Sequence, residues 1–470
     1  MKKLLVAAIV VLMASPAFAA IQNVKVSGDI TSTWLDRQSF DFGATYGNGY
    51  PVGLKDQNVF ITQTRLRVDA DLSDNVSTTV GLINERAWNA EANDNSDTNV
   101  QLYLASVTLR ELLYSPLTVT VGRQVFYYGN GLIMGNGPNN VAAGNLGRIA
   151  ADLTMRTAED GIKAVLDYKP LTIDMFYFKA AQLRGSIDGW VNRNGESTSS
   201  DVFGINGNYQ LSDSWNTVVE GYLFGRINGS SYVLDTTDAY RGNKGNTLFV
   251  PGLRASTNPV KGLNVQGELA WQLGQQNVAD VGNESERRDA MAVQVMASYA
   301  LPVLQKYKPT VNVSYTYVSG DKNSGDNYGG DPVKSAKVYT AWDPMFESQG
   351  QGTIYNTIFN LTNMNILALG ASVEPLEDVT TSFTWSNLWA AQKDSDMMVV
   401  QPNGYSTSVD ELNVTGKKGI GNEYDVNVNY AYTEDVSFGL SLGWLVPGNI
   451  IESANKDAAS QIIASLGVKF

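Results

Sequence analysis

The sequence predicts an all-β fold, a transmembrane antiparallel β-barrel of about 18 strands with short periplasmic turns and long extracellular loops. Three observations predict it. Apolar and polar residues alternate with period two in segment after segment, which puts alternate side chains on opposite faces of a strand. Each segment runs on the order of ten to fourteen residues, enough for a tilted strand to cross a bilayer. The connections alternate between tight turns and long polar stretches. Composition agrees: of 470 residues, 17% are charged, with 44 Gly, 23 Tyr and 9 Trp, against roughly 25% charged in soluble proteins. With no Cys and no His, disulfides, thiolate nucleophiles, haem, ordinary zinc or copper sites and a Ser-His-Asp hydrolase are excluded. No enzyme, metal or cofactor is therefore expected. A formal net charge of -13 argues against nucleic acid, which demands a basic patch.

The chain opens on an expected export signal: basic Lys2 and Lys3, an apolar stretch from Leu4 to Met13, and Ala17-Phe18-Ala19 as an A-x-A cleavage site. Cleavage after Ala19 leaves 20–470 as one barrel domain. Strands are expected near 24–36, 58–72, 76–87, 99–110, 117–125, 159–168, 171–180, 201–211, 215–226, 247–257, 262–274, 289–301, 309–319, 363–374, 378–390, 421–433, 435–446 and 459–470. In 262–274, Leu263, Val265, Leu269, Trp271 and Leu273 share one face, with Asn264, Gln266, Glu268 and Gln272 opposite. Tyr424, Val426, Val428, Tyr430 and Tyr432 likewise oppose Glu423, Asp425, Asn427 and Asn429. Tight turns such as Ser73-Asp74-Asn75, Lys169-Pro170, Ser212-Asp213-Ser214 and Thr433-Glu434-Asp435 alternate with polar loops near 37–57, 126–158, 181–200, 227–246, 275–288, 320–362, 391–420 and 447–458. Trp34, Tyr168, Trp271, Tyr317, Trp389, Tyr432 and Trp444 lie near strand ends on the apolar face, as two aromatic girdles would.

So many strands close around a lumen too wide for side chains to fill, and a wet channel is expected. A charge facing hydrocarbon costs about 2–4 kcal/mol at the bilayer midplane, so parity identifies the lining. Leu66, Val68, Ala70 and Leu72 face lipid and turn Arg65, Arg67, Asp69 and Asp71 inward. The same parity points Lys25, Asp29, Glu85, Lys163, Asp167 and Asp174 inward, then Glu220, Arg226, Arg254, Glu268, Glu423, Asp425 and Lys469. Both signs occur in similar numbers, whereas a path for one polyanion calls for a one-signed field. Arg123 breaks the pattern: alternation from Val119 and Val121 turns it outward unless a bulge or strand end intervenes.

The least strand-like stretch runs from Gln124 to Pro138 and includes Tyr127, Tyr128, Gly129, Asn130, Gly131 and Gly135. Its glycines lack G-x-G-x-x-G spacing, so no nucleotide site is indicated. The apolar Leu132-Ile133-Met134 would be bare on a loop in water, and the segment is expected to fold into the barrel and constrict it. The alternative is a lid packed outside. Asp321, Asn323, Asp326 and Asp331 lack EF-hand spacing and read as solvated turn residues.

Val121-Gly122-Arg123-Gln124, Tyr128-Gly129, Leu132-Ile133 and Glu159-Asp160-Gly161-Ile162 together resemble the alginate-export family of outer-membrane barrels. Ser319-Gly320-Asp321 with Trp342-Asp343-Pro344-Met345-Phe346, and Gly421-Asn422-Glu423-Tyr424-Asp425 with Pro447-Gly448, are similar to it too. The resemblance implies an 18-stranded barrel in outer-membrane lipid that passes an anionic polysaccharide or small solutes. It also implies that the terminal Phe470 is the aromatic signal read by the barrel assembly machinery. The balanced lining departs from the strongly positive lumen of an alginate exporter. The expected function is a porin, a passive channel for small hydrophilic solutes or ions. Export of an acidic polysaccharide and a structural or adhesive barrel with binding loops are the alternatives; the oligomeric state is left open.

Overall fold

A computed structural model of the chain describes residues 23–42, 56–88, 100–135, 150–180, 200–228, 232–234, 240–242, 246–278, 284–322, 338–349, 352–393, 398–400, 406–408, 416–451 and 456–470. The expected export signal falls outside them. Eighteen strands form the barrel: β1 (23–38), β2 (57–73), β3 (76–87), β4 (101–110), β5 (117–124), β6 (159–167), β7 (171–180), β8 (200–210), β9 (218–228), β10 (247–260), β11 (263–278), β12 (284–300), β13 (310–318), β14 (364–376), β15 (379–390), β16 (419–431), β17 (436–447) and β18 (459–469). Each pairs antiparallel with its sequence neighbours, and β1 closes the sheet against β18 from Asp29 opposite Lys469 to Gln38 opposite Ser460. Closure leaves the barrel no open edge, the condition for strands to stand in hydrocarbon.

Period two sets the two faces. Val26, Ile30, Leu66, Val80, Val107, Ile162, Ile205, Leu253, Val295 and Phe383 point outward and are exposed, an apolar belt that a protein in water would cover. Tyr168, Tyr209, Tyr430 and Tyr432 are exposed toward the short-turn end and Tyr177, Trp271 and Trp444 toward the loop end, the placement of two interfacial girdles. No helix among the described residues is long and apolar enough to cross a membrane; the strands make the crossing.

All eighteen expected strands are present, with shifted ends. The largest shift is in β12, which begins at Glu284, not near 289. Glu284 to Arg288 pair with Val278 back to Gly274. So charged a stretch escapes an apolar pattern because the hairpin continues past the hydrocarbon, where outward Arg287 and Asp289 pair at 3.4 Å. The larger difference concerns 320–362, read above as a polar loop. Its described part buries Trp342, Met345, Phe346, Ile354, Tyr355, Ile358, Phe359 and Leu361 in one continuous core. That core fills the loop-end part of the lumen.

Candidate functional site

The wall of the lumen is built from paired charges. Arg65 faces Asp29 across the β1–β2 ladder, with Nε 3.1 and 3.0 Å from the two carboxylate oxygens. Arg67 grips Asp69, two residues along its own strand, through Nε and Nη2 at 2.8 Å. Asp69 also accepts from Thr79 Oγ1 at 2.6 Å and stands opposite Lys25, and Asp71 stands opposite Asn23. Lys163 and Asp174 meet at 3.8 Å across β6 and β7. On β9 to β11, Arg254 Nη1 donates to Glu220 at 2.6 Å, its Nη2 to Gln266 at 2.7 Å, and Tyr222 Oη to Glu268 at 2.7 Å. Asp167, by contrast, sits at the turn end, half exposed, beside Lys169.

Chain segments from the loop end enter this space. The first, 125–135, follows β5 and doubles back through Tyr128 N–H to Met134 O at 2.9 Å. Leu132, Ile133 and Met134 are almost wholly buried. Phe126 stacks on Phe178 with centroids 4.6 Å apart, and Tyr128 on Phe176 at 5.2 Å, with Lys163 Nζ over the Tyr128 ring at 5.3 Å. Tyr127 is half exposed; Tyr128 is the tyrosine that meets the wall. Asn130 Nδ2 donates to Gln266 at 3.0 Å, and its Oδ1 accepts from Arg254 Nη2 at 3.0 Å. Gly129, beside them, lies against the Arg254 side chain.

The second segment, described over 340–349 and 352–362, runs beside the first. Gly135 N–H donates to Phe346 O at 2.8 Å, Phe346 N–H to Ile133 O at 3.1 Å, and Ser348 N–H to Gly131 O at 2.7 Å. Two glycines allow this. Gly131 has φ +72°, a conformation that L side chains resist. A Cβ on Gly135 would stand 2.7 Å from Ser348 Cβ.

Side chains of the wall anchor both segments. Asp343 meets Arg226 in a two-pronged pair and Arg288 at 3.6 Å, and exchanges hydrogen bonds with Gln272. Burial works to raise the Asp343 carboxyl, but the two guanidiniums outweigh it and hold the group at about 2. Burial pushes the Glu347 carboxyl up to about 7, against a hydrogen bond from the Gln349 N–H that works to lower it. Glu423 accepts the backbone N–H groups of Thr353, Ile354 and Tyr355 at 2.7, 2.8 and 2.7 Å, and Asp425 accepts Thr353 Oγ1 at 2.6 Å. On the other side, Glu85 holds a further stretch, taking Thr154 Oγ1 and Met155 N–H, each at 2.7 Å.

Sequence reasoning missed the second segment and its anchors. The signal was a loop carrying Trp342, Met345, Phe346, Tyr355, Ile358 and Phe359, more apolar bulk than a loop leaves in water. Asn323, Asp326 and Asp331 lie outside the described residues, and among those described no acidic group has metal-ligand geometry. Arg123 sits one residue from the end of β5 and keeps strict alternation, without reversing the face. It forms a two-pronged pair with Asp160 on the outer surface, beside Lys179, which pairs with Asp201. Phe470 exchanges backbone hydrogen bonds with Gly28, at 2.8 and 3.0 Å, and lays its ring against that glycine.

The profile of the alginate-export family matches residues 37–465. The chain belongs to the alginate-export family. As a member with a closed barrel of this kind, it resides in the outer membrane. Among solved structures it is similar to OpdK of Pseudomonas aeruginosa with vanillate, at 11% identity and TM-score 0.55, covering 96% of this chain and 99% of that one. OccK2 (OpdF) of Pseudomonas aeruginosa in complex with glucuronate has 11% identity and TM-score 0.52, with 96% and 99% covered. OccAB1 of Acinetobacter baumannii has 12% identity and TM-score 0.53, with 97% and 98% covered. At such identities the likeness is one of fold. No curated protein matches the chain in sequence.

Proposed function

We propose that this member of the alginate-export family is a porin, through which small hydrophilic solutes cross the outer membrane by passive diffusion. The observation that carries the reading is a closed barrel with a charged, wet wall, in which two inward segments, anchored side chain by side chain, set the cross-section. Solved barrels of similar fold bound to vanillate and to glucuronate support a small solute.

In this reading Arg65, Arg67, Asp69, Asp71, Lys163 and Asp174 line the path. Tyr128 to Gly131 and Gly135, with 340–362, form the constriction, and Phe470 is the assembly signal. Family membership favours an acidic polysaccharide as the second reading. The lining argues against it, because Arg65, Arg67, Lys163 and Arg254 each face a carboxylate within 4 Å, which cancels the positive field a polyanion would follow. Reconstitution in planar bilayers should give stepwise conductance unaffected by an acidic polymer. A sealed bilayer with folded protein would overturn the porin; block by the polymer from the periplasmic side would favour the exporter.

A further inference from the structure

Below the inward segments the lumen is chemically lopsided. Charged pairs occupy β1 to β3, β6 and β7, while the wall from β13 to β17 carries carboxamides and hydroxyls. A cavity of about 720 Å³ opens there, within the range of small-molecule sites. Strand register assembles it: Asn312, Gly370, Thr384 and Asp425 stand in one row across four strands, and Ser382, Asn427 and Ser441 in the next. Gly370 and Gly439 line it where neighbouring positions carry side chains, which recesses the wall. Among the described residues, the side chains of Asn312, Asn427 and Asn429 and the Oγ of Ser441 find no hydrogen-bond partner. Among the described residues lining the cavity there is no Lys or Arg, and Asp425 is the one acid.

From this we infer that the cavity is a binding site for an uncharged, polyhydroxylated solute, a neutral sugar or sugar alcohol. A sugar hydroxyl both donates and accepts, as carboxamides and hydroxyls do. A carboxylate only accepts, and here it would face Asp425 with no cation to compensate. Met296 and Ile463, also in the lining, offer an apolar surface to the C–H face of a sugar ring. A site built to pair hydroxyls discriminates strongly, because a ligand lacking them leaves its groups unpaired. The solute's route rests on the porin reading; its recognition does not.

The test uses the full-length barrel, in detergent for calorimetry and in planar bilayers for current, with maltose and glucuronate as probes. Maltose should bind and interrupt the current, and glucuronate should bind at least about tenfold more weakly. Asn427→Leu should abolish maltose binding, and Asn312→Arg should reverse the preference, with the barrel's resistance to denaturation unchanged in both. Equal binding of the two probes, or maltose binding untouched by Asn427→Leu and Asn312→Arg, overturns the inference. Maltose binding to a barrel that carries no current would uphold the site and overturn the porin.

Discussion

Replacing Asp343 with Asn tests whether the second inward segment is held electrostatically. Burial alone would raise this carboxyl, yet Arg226 and Arg288 hold it at about 2 against an ordinary 3.8. At ~1.4 kcal/mol per tenfold, that displacement is about 2.5 kcal/mol in favour of the charged, docked form. Asn keeps the shape but removes the charge, leaving Arg288, 3% exposed, without its counter-charge in a place where an uncompensated ion is costly. The ratio of released to docked segments should rise roughly sixtyfold. Single-channel recording would read this as longer dwell in a higher-conductance state. The pH dependence has a definite sign. Because the docked-state pKa is depressed, Asp343 stabilises docking in full above about 3.8 and loses that contribution as pH falls toward 2. Wild type and Asp343→Asn should therefore differ at pH 5 and converge near pH 2. Identical dwell times at pH 5, with the barrel intact, would refute the anchoring argument.

Glu347 works in the opposite sense. Its pKa, pushed up to about 7 from 4.5, means that docking is strongest below about 4.5, weakens by about 3 kcal/mol as pH rises to 7 and is level above. Glu347→Gln should flatten the rise in conductance between pH 5 and 8; an undiminished rise would place its cause elsewhere. Gly135→Val should loosen the pair of segments by about 1–3 kcal/mol, since a Cβ there meets Ser348 Cβ at 2.7 Å, seen as faster protease cleavage between 125 and 135. Deleting Asn130 to Gly135 should raise single-channel conductance, and unchanged conductance would exclude this segment as the constriction. Replacing Arg65 and Arg67 with Ala frees Asp29 and Asp69 from their partners, so the reversal potential in a salt gradient should shift toward cations.

The barrel was legible because lipid imposes a rule that water does not. Every outward residue must be apolar and every backbone group paired, and this writes period two into β2, β11 and β16 plainly enough to locate each strand. The same rule turns Arg65, Glu220 and Glu423 away from lipid on parity alone. It falls silent where the wall leaves the hydrocarbon, so the pattern around Arg288 reads as a loop although the strand runs through it. Inside the lumen it says nothing, since segments 125–135 and 340–362 are held by pairs more than a hundred residues apart, such as Arg226 with Asp343 and Asn130 with Arg254. The glycines and apolar run of the first segment betrayed it. For the second, aromatic residues in a long connection were the clue, and polar neighbours masked them.

The lumen core also constrains how the protein can be built. Phe359 stacks on Phe42, 6.2 Å away and just beyond β1; Gln461 on β18 accepts through Oε1 from Arg37 Nε at 2.6 Å and donates through Nε2 to Thr353 O at 3.4 Å. Residues from the first strand, the last strand and the second inward segment thus meet across the seam where the sheet closes. A barrel closed without that segment would lose the burial of Trp342, Phe346 and Tyr355 in its loop-end core. Because the same contacts join both edges of the sheet to the inward segment, docking of that segment and closure of the barrel stabilise one another. A change that weakens their packing will then surface first as slow or incomplete insertion in the cell, ahead of any altered flux through the barrels that do close.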